Sequence, residues 1–174
     1  MQDRQRPDWQ TYYMNIAMAV RLRADCTGNR VGALLVQNDR IISTGYNGTP
    51  HNMPNCSEGG CHRCAHRGAY DSGRDYDLCI CVHAEQNALL AAARFGIATE
   101  GAVLYSTMQP CFGCTKELIQ AKISAVYYLH AWGYPDPARQ KSYEQLLSYV
   151  PDGVQGVAVE DLDAEWAVSN LRNK

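Results

Sequence analysis

Residues 102–130 read AVLYSTMQPCFGCTKELIQAKISAVYYLH, and the alternation inside this stretch decides the fold. Ala102–Thr107 (AVLYST) and Ala125–His130 (AVYYLH) are short runs rich in β-branched and aromatic residues, as strands require. Between them Pro110 opens a segment that continues CFGCTKELIQAK to about Lys122, with proline where a helix start tolerates it best. Strand, helix and strand in immediate succession predict a parallel pair joined by a right-handed crossover.

Working outward, His83–Phe95 (HAEQNALLAAARF) is rich in strong helix formers and stops before Gly96, a C-cap candidate. Further upstream, Val31–Val36 (VGALLV) and Ile41–Tyr46 (IISTGY) flank Gln37-Asn38-Asp39-Arg40, a hairpin signal. Trp9 to about Arg23 has apolar residues at helical spacing. Downstream come a helix over Ala138–Val150, a strand over Val154–Glu160 and a final helix from about Asp163. The order α-β-β-α-β-α-β-α-β-α predicts an α/β fold with a five-stranded mixed sheet and helices on both faces. Residues 1–174 are expected to form a single domain carrying a Cys-rich insertion at about 47–82. A loop that long without periodicity is unusual in a compact domain and points to function or to a metal.

The composition is that of an ordinary globular chain, with 46% hydrophobic and 20% charged residues and a net charge of −2. That weakly acidic balance argues against a polynucleotide partner, which would call for a basic face. No apolar run approaches a membrane span, and the first residues, MQDRQRPDWQ, lack a signal peptide's apolar stretch, so a cytoplasmic location is expected. The eight cysteines are the anomaly. With nothing marking secretion, a reducing compartment favours thiolate–metal chemistry over disulfides.

Two of the cysteines stand apart. His83-Ala84-Glu85 opens one helix, and Pro110-Cys111-Phe112-Gly113-Cys114 opens the next. Cysteines at i and i+3 share a helical face, and a helix N-terminus favours thiolates. One imidazole and two thiolates make three zinc ligands, leaving the fourth tetrahedral position to water, which distinguishes a catalytic site from a structural one. Glu85, two residues beyond His83, points into such a site without joining the coordination shell and is the candidate proton carrier. A lone C-x-x-C is commonly structural and an HAE triplet common by chance. Together, H-x-E and P-C-x-x-C match the signature of zinc-dependent nucleobase deaminases.

GYNG (Gly45–Gly48), CVHAEQNALL (Cys81–Leu90) and PCFGC with the following KELIQAKISAVYY resemble deoxycytidylate (dCMP) deaminases of the bacterial and phage type, from about Tyr12 to near residue 160. HAE and PCxxC are shared with cytidine, tRNA-adenosine and riboflavin-pathway deaminases; GYNG and the cysteine-rich insertion discriminate more. The resemblance implies the cytidine deaminase-like three-layer α/β/α fold and hydrolysis of dCMP to dUMP for thymidylate synthesis. It further implies a homo-oligomer, commonly a hexamer, activated by dCTP and inhibited by dTTP, with Mg²⁺ accompanying either effector. Carried onto this chain, Asn47 would contact the sugar or base, with Tyr46 and Gly48 shaping its loop. Thr107 and Met108 would meet the base or phosphate, and Arg94 and Tyr134 are phosphate candidates.

Several family members also hold a second, structural zinc, and Cys26 and Cys56 match two of its ligand positions. The remaining ligands fall among Cys61, His62, Cys64, His66, Cys79 and Cys81. The preferred set is Cys26, Cys56, Cys61 and either Cys79 or Cys81. The competing readings are a deaminase for cytidine, deoxycytidine or an RNA base, and a non-enzymatic zinc-binding module. Glu85 separates the last from the rest, since a purely structural site has no use for it.

Overall fold

The computed structural model describes residues 5–66, 69–70 and 78–172. Helix α1 (Trp9–Arg21) starts at Asp8, whose carboxylate accepts the Thr11 N–H at 2.7 Å. Strands β1 (Gly32–Gln37) and β2 (Arg40–Tyr46) form the expected hairpin. Its two turn residues, Asn38 and Asp39, both have positive φ (50° and 58°), the conformation that matches a tight turn to the strands' twist. After the Cys-rich segment, which contains the one-turn helix α2 (His62–Ala65), come α3 (Ala84–Arg94), β3 (Val103–Met108), α4 (Phe112–Gln120) and β4 (Ala125–His130). Helix α5 (Pro137–Leu147), β5 (Val154–Gly156), α6 (Ala164–Ala167) and α7 (Ser169–Arg172) complete the order.

The five strands form one mixed sheet in the order β2-β1-β3-β4-β5. β1 is antiparallel to β2 and β3, whereas β3, β4 and β5 run parallel. Successive residues of β1 serve opposite faces. Ala33 and Leu35 join Ala84, Ala88, Leu104 and Leu118 in one core, while Leu34 and Val36 join Tyr13, Met14 and Tyr105 in the other. Helix α1 therefore covers one face and α3 with α4 the other, which is the expected three-layer arrangement.

Two glycines allow the close approach of these layers. A Cβ on Gly32 would stand 2.2 Å from the Ala17 carbonyl oxygen, and one on Gly45 2.1 Å from that of Ala84. Gly45 thus lets the head of α3 lie directly on β2. The Asn87 side-chain amide donating to Tyr46 O at 2.7 Å and Ser43 Oγ donating to Ala88 O at 2.7 Å hold it there.

Several boundaries differ from expectation, and α5 ends at Leu147 instead of Val150. The last strand stops at Gly156 instead of Glu160 because the chain leaves the sheet edge, drawn across to Arg21 and His130 by Asp161. The single C-terminal helix is two short ones: Val168 is extended, and Asn29 Oδ1 accepts both the Ser169 N–H and its hydroxyl at 2.8 Å, capping a new start. Finally, α3 and α4 begin one or two residues late, with His83 and Cys111 themselves as the extended N-cap residues.

Candidate active site

Strand β3 delivers its C-terminal end, through Gln109 and Pro110, to Cys111 at the head of α4, and His83 stands at the head of α3 alongside. The carbonyl of Pro110 is fixed from below by the buried Tyr143 hydroxyl of α5, and Thr115 Oγ1 donates to Cys111 O at 2.9 Å. His83 is held by its own backbone N–H, which donates to Gln86 Oε1 at 2.9 Å, while Gln86 Nε2 donates to Glu117 Oε1 at 2.9 Å and ties α3 to α4.

These supports bring His83 Nδ1 to 3.5 Å from Cys111 Sγ and 3.3 Å from Cys114 Sγ. All three ligand atoms lie within 4.8 Å of one another. Tetrahedral zinc with ordinary bond lengths separates a sulfur and a nitrogen ligand by about 3.5 Å, so the trio fits that ion as it stands. Glu85 is buried at 4% exposure, with Oε2 3.8 Å from Cys114 Sγ. Three soft or borderline ligands and a desolvated carboxylate beside them are what a hydrolytic metal centre needs.

The electrostatics follow from this crowding. Burial pushes the Glu85 carboxyl up to about 7. The hydrogen bond from Cys114, with His83 beside it, outweighs burial and brings the Cys111 thiol down to about 4. The Cys111 sulfur in turn holds the His83 imidazole up at about 9. Cys114 is pushed up, first by Cys111 and then by burial.

The chain matches the family described as the cytidine and deoxycytidylate deaminase zinc-binding region over residues 7–130. The chain belongs to this family. Among its relatives, the deoxycytidylate deaminase of Schizosaccharomyces pombe is 40% identical over 152 residues, 86% of this chain and 46% of that protein. That of Mycobacterium phage D29 is 40% identical over 129 residues, covering 71% of this chain and 95% of the phage protein. Among solved structures, the cyanophage S-TIM5 dCMP deaminase in complex with dCMP and dUMP superposes with a TM-score of 0.65 at 26% identity, covering 88% of this chain and 100% of that one. The chain spans less than half the length of the fission-yeast protein.

The residues expected to meet substrate are distributed unevenly. Gly48 pairs with Val82 through two backbone hydrogen bonds, which closes the long loop and sets Asn47 beside the head of α3. Asn47 is buried; its Oδ1 accepts the Val31 N–H and its Nδ2 donates to Asn29 O, each at 2.8 Å. Its amide clasps the loop in this structure. Thr107 is likewise buried, with Oγ1 accepting the Gly32 N–H at 3.1 Å, and Met108 closes β3. Tyr134 packs edge-on against Trp132 and Tyr143, and so reaches the Pro110 turn through Tyr143. Arg94, the other phosphate candidate, lies in the last turn of α3, about 14 Å along the helix axis from Glu85.

The six remaining cysteines converge into one group, with Cys26, Cys56, Cys61, Cys64 and Cys81 buried and Cys79 partly exposed. Cys61 Sγ and Cys79 Sγ are 3.9 Å apart. The preferred ligand set omitted Cys64, yet Cys64 lies within 4.8 Å of both Cys56 and Cys61. Its spacing in Cys61-x-x-Cys64 was the available signal. Hydrogen bonds from Cys26, Cys79 and Cys81 draw its thiol well below the ordinary range. His62 and His66 stack on each other at 4.2 Å, exposed, and belong to none of the candidate metal groups among the described residues. Sequence reading also missed Gln86, Glu117 and Tyr143, which carry no motif and act only through the fold.

Proposed function

We propose that this chain is a zinc-dependent hydrolytic deaminase that converts dCMP to dUMP and ammonia, in support of dTMP synthesis. The observation that carries this is Glu85: a carboxylate with 4% exposure beside three candidate zinc ligands. Leaving such a group in an apolar setting costs free energy, and a metal held only for folding has no need of it. A non-enzymatic zinc module is disfavoured on that ground.

His83 Nδ1, Cys111 Sγ and Cys114 Sγ would hold the ion, whose two thiolates offset its charge. When bound, zinc supplies an open coordination position and lowers the pKa of water there toward neutrality. Glu85 takes the proton released by the attacking water and places it on ring nitrogen N3 of the cytosine. It then takes the remaining proton from the new hydroxyl on C4, as that oxygen becomes the uracil carbonyl, and passes it to the amino group, which leaves as ammonia. Gln86 and Glu117 keep α3 and α4 in register, so that the His83 imidazole and the sulfurs stay aligned. Asn47 and Thr107 form walls of the substrate site, and Tyr134 its rim.

The dCMP assignment is supported by the names of the relatives and by the dCMP and dUMP in the cyanophage structure. Activation by dCTP, inhibition by dTTP with Mg²⁺, and assembly as a homohexamer belong to the same proposal and rest on the family resemblance. So does a structural zinc held by four of the loop cysteines, and a single catalytic domain spanning residues 1–174. Among the described residues no helix is long and apolar enough to cross a membrane; the cytoplasmic location belongs to the same proposal.

The test is ammonia release from dCMP, deoxycytidine and dCTP side by side. Preference for dCMP is expected; equal or faster turnover without the 5′-phosphate overturns the substrate, and no turnover on any cytosine compound overturns the activity.

A further inference from the structure

Asn47 is buried, and two main-chain groups tie its carboxamide one way round. Its Oδ1 accepts the Val31 N–H and its Nδ2 donates to Asn29 O, each at 2.8 Å. An asparagine amide carries two donor hydrogens and an oxygen with two lone pairs. One hydrogen and one lone pair are therefore spent, and the remaining hydrogen and lone pair are held in a fixed direction. Half a turn of the amide would set its oxygen against Asn29 O and its nitrogen against the Val31 N–H, leaving buried groups unsatisfied. What Asn47 offers to a ligand thus depends on where the main chain of residues 29–31 stands.

That main chain has no regular structure of its own, since residues 24–31, between α1 and β1, lie in neither helix nor strand. It is anchored instead on the junction of α6 and α7. Asn29 Oδ1 accepts both the N–H and the hydroxyl of Ser169, 140 residues further along, at 2.8 Å each. Beside it the Arg30 N–H donates to Ala167 O at 2.8 Å. The Arg30 guanidinium donates to Trp166 O at 2.8 Å and lies 4.2 Å over the Trp166 ring. Packing fixes the junction itself: Ala167 is fully buried, and Val168 lies against the core that holds Ala84 and Met108. Direct contacts therefore run from that core through Ser169 to the Asn29 side chain, and from the Asn29 carbonyl to Asn47.

We propose that Asn29 is a positioning residue for the substrate: seated on Ser169, it sets the carbonyl that orients the Asn47 amide, so that the α6–α7 junction governs how tightly substrate is held. Asn29 itself touches no substrate. The inference rests on reading Asn47 as a wall of the substrate site. A wall that does not touch the reacting C4 and N3 atoms serves ground state and transition state alike, so its loss shows in KM and not in kcat.

The experiment compares KM and kcat for dCMP in the wild type, Asn29→Ala, Ser169→Ala and the double variant, with zinc content measured alongside. Asn29→Ala is expected to raise KM about tenfold, with kcat within about twofold and zinc content unchanged. Ser169→Ala removes one of the two donors and should raise KM about threefold. The double variant should be no worse than Asn29→Ala alone, because both substitutions act on one contact. An unchanged KM in Asn29→Ala, or effects of the two substitutions that simply multiply, overturns the proposal. Hydrogen exchange of the Val31 amide, which Asn47 Oδ1 protects, is a readout that needs no turnover. It should quicken about tenfold in Asn29→Ala, and unaltered protection overturns the proposal. A wild type inactive on every cytosine compound overturns the deaminase reading instead, and the Val31 exchange then decides the coupling by itself. Should Asn29→Ala fail to fold, Ser169→Thr decides beside Ser169→Ala. A KM restored by the threonine hydroxyl is expected, and equal KM in the two variants overturns the proposal.

Discussion

At the heads of α3 and α4, two sulfurs and an imidazole are presented by rigid helix starts, with a buried carboxylate against them. In the loop between β2 and α3, five cysteines carried by turns and short helical segments meet Cys26 from the segment after α1. Both regions use cysteine, yet they differ in what is left over. In the proposed function the first has three ligands and a proton carrier, which would keep a coordination position for chemistry. The second has a surplus of sulfur, so any ion in it is closed off. Where a site is rigid before metal arrives, the metal is there to react; where the backbone has no other support, the metal is there to fold it.

The largest expected effect tests the carboxylate that marks the difference. Glu85→Gln preserves shape and zinc but removes the proton carrier. Turnover should fall by about 10³-fold, roughly 4 kcal/mol of transition-state stabilisation, with metal content and melting temperature unchanged. Steady-state kinetics beside zinc analysis reads this directly, and wild-type turnover in the variant would refute the mechanism.

Exchanging one cysteine in each region breaks the comparison from the other side. Cys111→Ser should abolish activity while the protein still unfolds cooperatively near the wild-type temperature. Cys56→Ser should cost roughly 3–4 kcal/mol, through loss of metal from the loop, and open that loop to protease. If the two variants lose the same stability, the division into a reactive and a folding site fails.

These two regions were not equally legible in the sequence. The central strands were readable because β1 and β3 are buried along nearly their whole length, and with β4 they appear as unbroken β-rich runs. His83, Cys111 and Cys114 were readable because each pair sits within a few residues of a helix start. In the loop, by contrast, local order comes from sulfur, turns and the Gly48–Val82 bridge, none of which has a period. Cys61 and Cys64 share one C-x-x-C spacing, so no period in the sequence separated them. Expectations for residues 67, 68 and 71–77 of the insertion fall outside the described residues. The contacts of Asp161 were illegible for a different reason: its partner Arg21 is 140 residues away.

That clasp supplies a control lying outside both thiol regions. The buried Arg21 guanidinium donates twice to Asp161 at 2.7 Å, and His130 Nε2 meets the same carboxylate at 2.6 Å. Burial alone would raise the Asp161 carboxyl, but the bonds from Arg21 and His130 outweigh it and hold it at about 2, below its ordinary 3.8. The unfolded chain therefore takes up the proton more readily than the folded one. The clasp's stability is complete above about pH 4, and is lost as the pH falls toward 2. Asp161→Asn should cost about 3 kcal/mol at neutral pH, because it leaves the Arg21 charge buried without its counter-ion. It should also flatten the acid limb of a denaturation series while leaving metal content alone. A loss of zinc in this variant would tie the clasp to one of the thiol sites and blur the contrast.

The smallest effect sharpens how rigid the first region is. Tyr143 is fully buried in α5 and gives its hydroxyl proton to Pro110 O, the carbonyl just ahead of Cys111. Tyr143→Phe keeps the ring against Trp132 and Tyr134 and removes only that donor. Pro110 O is left with Thr115 Oγ1 at 3.4 Å, so the carbonyl is weakened in its bonding and not orphaned. The expected cost is about 1 kcal/mol in denaturant unfolding, with full zinc occupancy. If the turn before Cys111 is held by the helix start itself, turnover should drop by less than about tenfold, equivalent to under 1.4 kcal/mol. A larger drop without loss of zinc would mean that α5 sets the sulfur's position, and that the rigidity of the reactive site is borrowed from a helix that carries none of the candidate ligands.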